Sequence, residues 1–161
     1  MTYYAKWEAV KYTVNYYAAD GVTSIGSGYY TIENATIVTD VTLPTASKGH
    51  EIAWSDYTLT YSDTAVKIVA IETAKKYTIT FKYNNNTEDT AVLTDVEFGS
   101  NIDLTDVKPT YEGMTFDGWL YNGEKVAISD LWSEMSDGDE EDLTIELTAQ
   151  WKLNEEWTDN Y

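Results

Sequence analysis

The sequence contains no cysteine. Disulfides, thiolate catalysis and zinc–sulfur sites are thereby excluded. Histidine occurs once. A lone imidazole with no cysteine partner is weak ground for metal binding or acid–base work, so His50 reads as structural or superficial. Arginine is absent, because all ten basic residues are lysine. Those ten face twenty-eight acids, for a net charge of -18. Such a surface repels phosphate backbones and anionic headgroups, so neither nucleic acid nor membrane insertion is expected. No apolar run reaches the ~20 residues of a membrane helix. Neither a leader segment nor a wall-sorting tail is recognisable, and the chain reads as a piece of something longer.

What is present argues for strands. Of 161 residues, 43% are hydrophobic and 14% aromatic, too apolar for a disordered chain. Fourteen tyrosines and six tryptophans stand against three phenylalanines. Together with abundant threonine and valine, they suit half-buried strands.

The order of residues contains a repeat. Lys11-Tyr12-Thr13-Val14 matches Lys76-Tyr77-Thr78-Ile79 at an offset of 65 (76 − 11). The same offset carries Pro44-Thr45 onto Pro109-Thr110, Trp54 onto Trp119, Ile37 onto Ile102, Ala5 onto Ala70 and Ala9 onto Ala74. Tyr4-Ala5-Lys6-Trp7 also resembles Thr148-Ala149-Gln150-Trp151. Residues 1–10 are therefore read as the closing strand of a preceding repeat plus a linker. Residues 11–75 form a degenerate unit, 76–152 a full unit, and 153–161 a tail or linker.

Trp54 to Ala70 spans 16 residues (70 − 54) and Trp119 to Ala149 spans 30 (149 − 119). The second unit thus carries 14 more, the size of a long loop or one short helix. Ser129-Asp130-Leu131-Trp132-Ser133-Glu134-Met135 suits one capped helical turn.

Alternation assigns strands to Tyr77–Tyr83, Ala91–Phe98, Met114–Tyr121 and Leu143–Trp151, with a short return strand over Lys125–Ile128. Asn84-Asn85-Asn86 and Asn122-Gly123 supply turns. In the first unit the strands fall at Tyr12–Ala18, Gly28–Ile32, His50–Trp54 and Val66–Ile71, with a turn at Asp20-Gly21.

Val96-Glu97-Phe98-Gly99-Ser100, Pro109-Thr110-Tyr111-Glu112-Gly113, Phe116-Asp117-Gly118-Trp119 and Thr148-Ala149-Gln150-Trp151 follow the YTITF strand in order. In this the second unit resembles the Listeria–Bacteroides repeat family, met also as the B repeat of internalins. The first unit departs from it: Ala53 precedes Trp54 where the pattern has glycine, and Glu72 replaces the closing tryptophan. The resemblance implies a mainly β protein of two tandem small β-grasp-like repeat domains on a bacterial surface protein. It implies extracellular attachment through a longer parent and roles in spacing, protein contact or adhesion. It brings no catalytic residues and no cofactor.

Two readings compete at the aromatics. Trp7, Trp119 and Trp151 recur at fixed places, which packing would produce, so they read as core rather than as a sugar platform. Trp132, Tyr121 and Trp157 lie off the repeat pattern and are the candidate ligand-binding residues. Asp137, Asp139 and Asp142 offer hard oxygens for calcium, but without loop-ligand spacing, and a solvated acidic loop is the plainer reading. A spontaneous lysine–asparagine bond would need a buried lysine, asparagine and acid together. No nucleophile elbow, phosphate loop or zinc motif occurs. The expected function is a non-enzymatic spacer or protein-interaction module. Its partners would be a host or bacterial surface protein, or a glycan, beside neighbouring repeats of the parent. The alternative is a carbohydrate-binding module.

Overall fold

The computed structural model describes residues 1–136 and 142–154. The chain divides into two compact units, Met1–Thr73 and Ala74–Tyr161.

In the first unit, β1 (Tyr12–Tyr17) turns its Val14 and Tyr16 inward, as its alternation dictates. The turn after it is tightened by Asp20, whose Oδ1 accepts the N–H groups of Val22 and Thr23, both at 2.8 Å. The return strand β2 (Ser24–Tyr30) therefore starts four residues earlier than its glycines suggest. Strands β3 (His50–Trp54) and β4 (Val66–Ala74) complete a sheet ordered β2-β1-β4-β3. β1 runs antiparallel to β2 and parallel to β4. Val14, Tyr16, Tyr30, Val66 and Ile68 form the buried cluster, with Trp54, Leu59 and Tyr12 packed against it. The Tyr30 hydroxyl donates to the Thr60 carbonyl and accepts the Thr60 N–H at 3.0 Å, holding the segment before β4 onto this core.

The second unit contains β5 (Lys76–Lys82), β6 (Thr90–Glu97), β7 (Met114–Tyr121), β8 (Glu124–Val126) and β9 (Thr144–Leu153). Their order is β6-β5-β9-β7-β8. β5 pairs parallel to β9 and antiparallel to β6, and β7 pairs antiparallel to both β8 and β9. A 3-10 turn, Ile128–Asp130, leads into the four-residue helix α1 (Leu131–Glu134). So short a helix cannot hold itself. Leu131, Trp132 and the following Met135 are all buried, and that burial fixes it. The expected side-chain cap does not form, because Asp130 is still part of the preceding turn.

With β8 set aside, both sheets share one order: second, first, last, third. In the parallel pairs, Val14 lies opposite Val66 and Tyr16 opposite Ile68, while Ile79 lies opposite Ile145 and Phe81 opposite Leu147. The first members are 65 apart (79 − 14) and the second 79 apart (145 − 66). Hydrogen-bond register thus recovers the offset of 65 and an insertion of 14, which contains β8, the 3-10 turn and α1. Side-chain geometry follows suit. Trp54 meets Tyr16 edge-on at 5.0 Å and 62°, and Trp119 meets Phe81 at 5.0 Å and 69°.

Candidate interaction surface

Of the tryptophans that recur with the repeat, Trp54, Trp119 and Trp151 are occupied in packing. Trp119 is 5% exposed and also meets Phe116 at 5.1 Å. Gly118, just before it, has φ of +110°, and a Cβ there would stand 2.7 Å from the Lys125 stem. The β7–β9 register shifts between Phe116 and Trp119, so Asp117-Gly118 is a bulge that turns Trp119 into the core while the exposed Phe116 ring lies against Trp119 and Trp151. Trp151 is half-buried, packs edge-on to Tyr111 at 5.6 Å and donates its indole N–H to the Tyr83 carbonyl at 2.8 Å. Trp7 differs from both, being 88% exposed in a segment without strand pairing.

Glu72 occupies in β4 the place of Trp151 in β9. Its carboxylate accepts the Ser47 N–H at 2.7 Å and the Ser47 hydroxyl at 2.9 Å. Those bonds, the backbone one first, hold its pKa below the ordinary glutamate value. Both residues meet the loop entering the third strand, Glu72 through hydrogen bonds to Ser47 and Trp151 through its ring against Tyr111.

Sequence reasoning missed a latch in Asn84-Asn85-Asn86, which it read only as a turn. Asn84 and Asn86 have φ of 53° and 63°, as a turn requires. All three amides also donate outward, Asn84 to the Ala149 carbonyl at 3.2 Å, Asn85 to the Thr110 carbonyl at 2.9 Å and Asn86 to the Tyr111 hydroxyl at 2.7 Å. Three successive asparagines, more than a turn needs, were the available signal.

The off-pattern candidates separate. Trp132 does not sit on the surface as expected: it is 8% exposed, packs against Tyr77 and Phe98, and donates its indole N–H to the Ser100 carbonyl at 2.8 Å. A face held this way is closed to a sugar ring. Tyr121 is half-buried and borders two open clefts. One, of 450 Å³, is lined by Asn122, Glu124, Lys125, Asp130 and Glu134 among others. The other, of 180 Å³, reaches Met135, Asp142 and Glu146. Trp157, Asp137 and Asp139 lie outside the described residues. Asp142 accepts the N–H of Thr144 at 3.0 Å and its hydroxyl at 2.5 Å, so its carboxylate is engaged at the start of β9. His50 places Nδ1 2.8 Å from the Lys48 carbonyl, which fixes the ring locally. No buried polar or charged side chain occurs among the described residues, so a buried lysine–asparagine–acid triad is not assembled there.

The arrangement defines a class: small β units, repeated along one chain, whose matched large apolar residues pack into each unit's own core. Residues 77–144, within the second unit, match the model of the Listeria-Bacteroides repeat domain. Two relatives come from Evansella cellulosilytica. One, provisionally named a membrane protein, is 29% identical over 166 residues, and the other, provisionally named a Gly-rich membrane protein, is 28% identical over 167. Each alignment covers 96% of this chain, which spans only 23% and 18% of the respective relatives. No helix among the described residues is long and apolar enough to cross a membrane. No solved structure matches the chain.

Proposed function

We propose that this chain is a non-catalytic segment of a bacterial surface protein, exposed outside the cell, where its paired β units space and present neighbouring domains for contact with other proteins. One observation carries the reading. The large apolar residues recurring at the 65-residue offset, Tyr12 and Tyr77, Val14 and Ile79, Ile37 and Ile102, Trp54 and Trp119, are spent on packing, as the matched Trp54–Tyr16 and Trp119–Phe81 contacts illustrate. A repeated binding site would instead spend its recurring residues on an open surface. The longer relatives named as membrane proteins support a surface setting.

The test is substitution within the longer protein. Replacing this segment by an unrelated β module of equal length preserves surface attachment and partner contact if the segment is a spacer. Loss of contact assigns the interaction to the segment itself.

A second reading, carbohydrate binding, rests on Tyr121, whose half-buried ring borders clefts lined by amide and carboxylate groups. Glycan-array binding that disappears in Tyr121→Ala, with the melting temperature unchanged, would establish it. No binding by the native chain would remove it.

A further inference from the structure

Residues 1–10, ahead of β1, present an apolar pattern that nothing in the fold absorbs. Met1, Tyr3, Tyr4, Trp7 and Val10 are 64–105% exposed, and no strand includes them. Aromatic side chains concentrated in so short an exposed segment mark a surface meant to be covered.

Three observations state what covers it. Aligning Ala5 with Ala149 (149 − 5 = 144) places Met1, Tyr3 and Trp7 on Ile145, Leu147 and Trp151. In β9 the first two of these positions and Ala149 are buried, and Trp151 is half-buried. Meanwhile Thr2, Lys6 and Glu8 fall on the outward-facing Glu146, Gln150 and Lys152, and Tyr4 falls on the half-buried Thr148 of that same face. A strand with period two is thus written into the segment in the phase of β9. Second, Ala149 lies directly opposite Trp119, so a small side chain is needed there, and Ala5 supplies one. Third, Trp7 precedes Lys11 by four residues, as Glu72 precedes Lys76. The segment therefore stands to β1 as β4 stands to β5.

We propose that residues 1–10 are a strand donated to a further β unit of this kind. They would lie at the centre of its sheet, parallel to its first strand and antiparallel to its third. The partner is a unit that has the first three strands and lacks its own last one. Main-chain hydrogen bonds on both sides would supply affinity, and the pockets for alternate side chains would supply register. The inference stands on strand register, so it holds whether the array acts as spacer or binder.

The experiment transplants the segment within the full chain. Residues 1–10 replace residues 145–154, and a control carries the same ten residues in scrambled order. The expected result is a folded second unit in the transplant: slow amide exchange along the new strand and a native near-ultraviolet signal from Trp119. The scrambled chain should lose both. A second transplant with Tyr3→Leu matches the volume of Leu147, which removes overpacking as a cause of failure. If neither transplant protects its strand better than the scrambled control, the proposal is overturned.

Discussion

At Trp119, ring burial, edge contacts and the bulge at Gly118 act together. Trp119→Ala is expected to cost about 3–5 kcal/mol, the usual loss for an emptied aromatic core site. Chemical denaturation of the second unit measures it. Gly118→Ala should cost roughly 1–3 kcal/mol by the same assay, because an alanine there is both strained and crowded by the Lys125 stem. Asp20 provides a pH-dependent contact. Hydrogen bonds from the Thr23 hydroxyl and from the Thr23 and Val22 amides lower its pKa from 3.8 to about 2. Because the folded value lies below the unfolded one, this contact contributes fully above about pH 4. It is lost as pH falls through about 2. An NMR titration of the Val22 and Thr23 amides should show a midpoint below the ordinary aspartate range. Trp119 was legible in the sequence because it recurs with its strand. Trp132 was not legible, because a residue off the repeat pattern can be core as well as surface. Leu131 and Trp132 of α1 and the extended Met135 after it are buried together in the second unit's core.

Among the elements, the strands were easiest to read, since alternation of Tyr77, Ile79 and Phe81 is itself the record of which face is covered. Their ends were harder. β2 begins where the Asp20 turn releases the chain, and that depends on hydrogen bonds between side chain and backbone rather than on alternation. The pairing partners of the asparagine run were not legible at all, because they come from two distant segments. The run should tie down the loop that enters β7. Asn85→Ala is expected to cost about 0.5–1.5 kcal/mol, the net worth of one hydrogen bond. Its sharper signature is faster amide exchange around Thr110–Gly113 with β5 and β9 unchanged.

Over the whole chain, charge and core size set the behaviour. A net charge of -18 repels itself, and the ion pairs of Lys82 with Glu146 and of Lys125 and Lys152 with Asp117 are largely open to solvent. Raising salt from roughly 0.01 to 0.15 M should therefore raise the melting temperature, because screening removes more repulsion than attraction. The core clusters are unequal, with five buried residues in the first unit and twelve in the second. Amide exchange should accordingly be faster in β1 and β4 than in β5 and β9. One feature of the topology bears on mechanics. In each unit the first and last strands are parallel neighbours, β1 with β4 and β5 with β9. Tension applied at the two ends of a unit slides these strands past each other. The bonds between them are then loaded together in shear, rather than broken one by one as in peeling. Each unit is thus built to resist stretching along the chain.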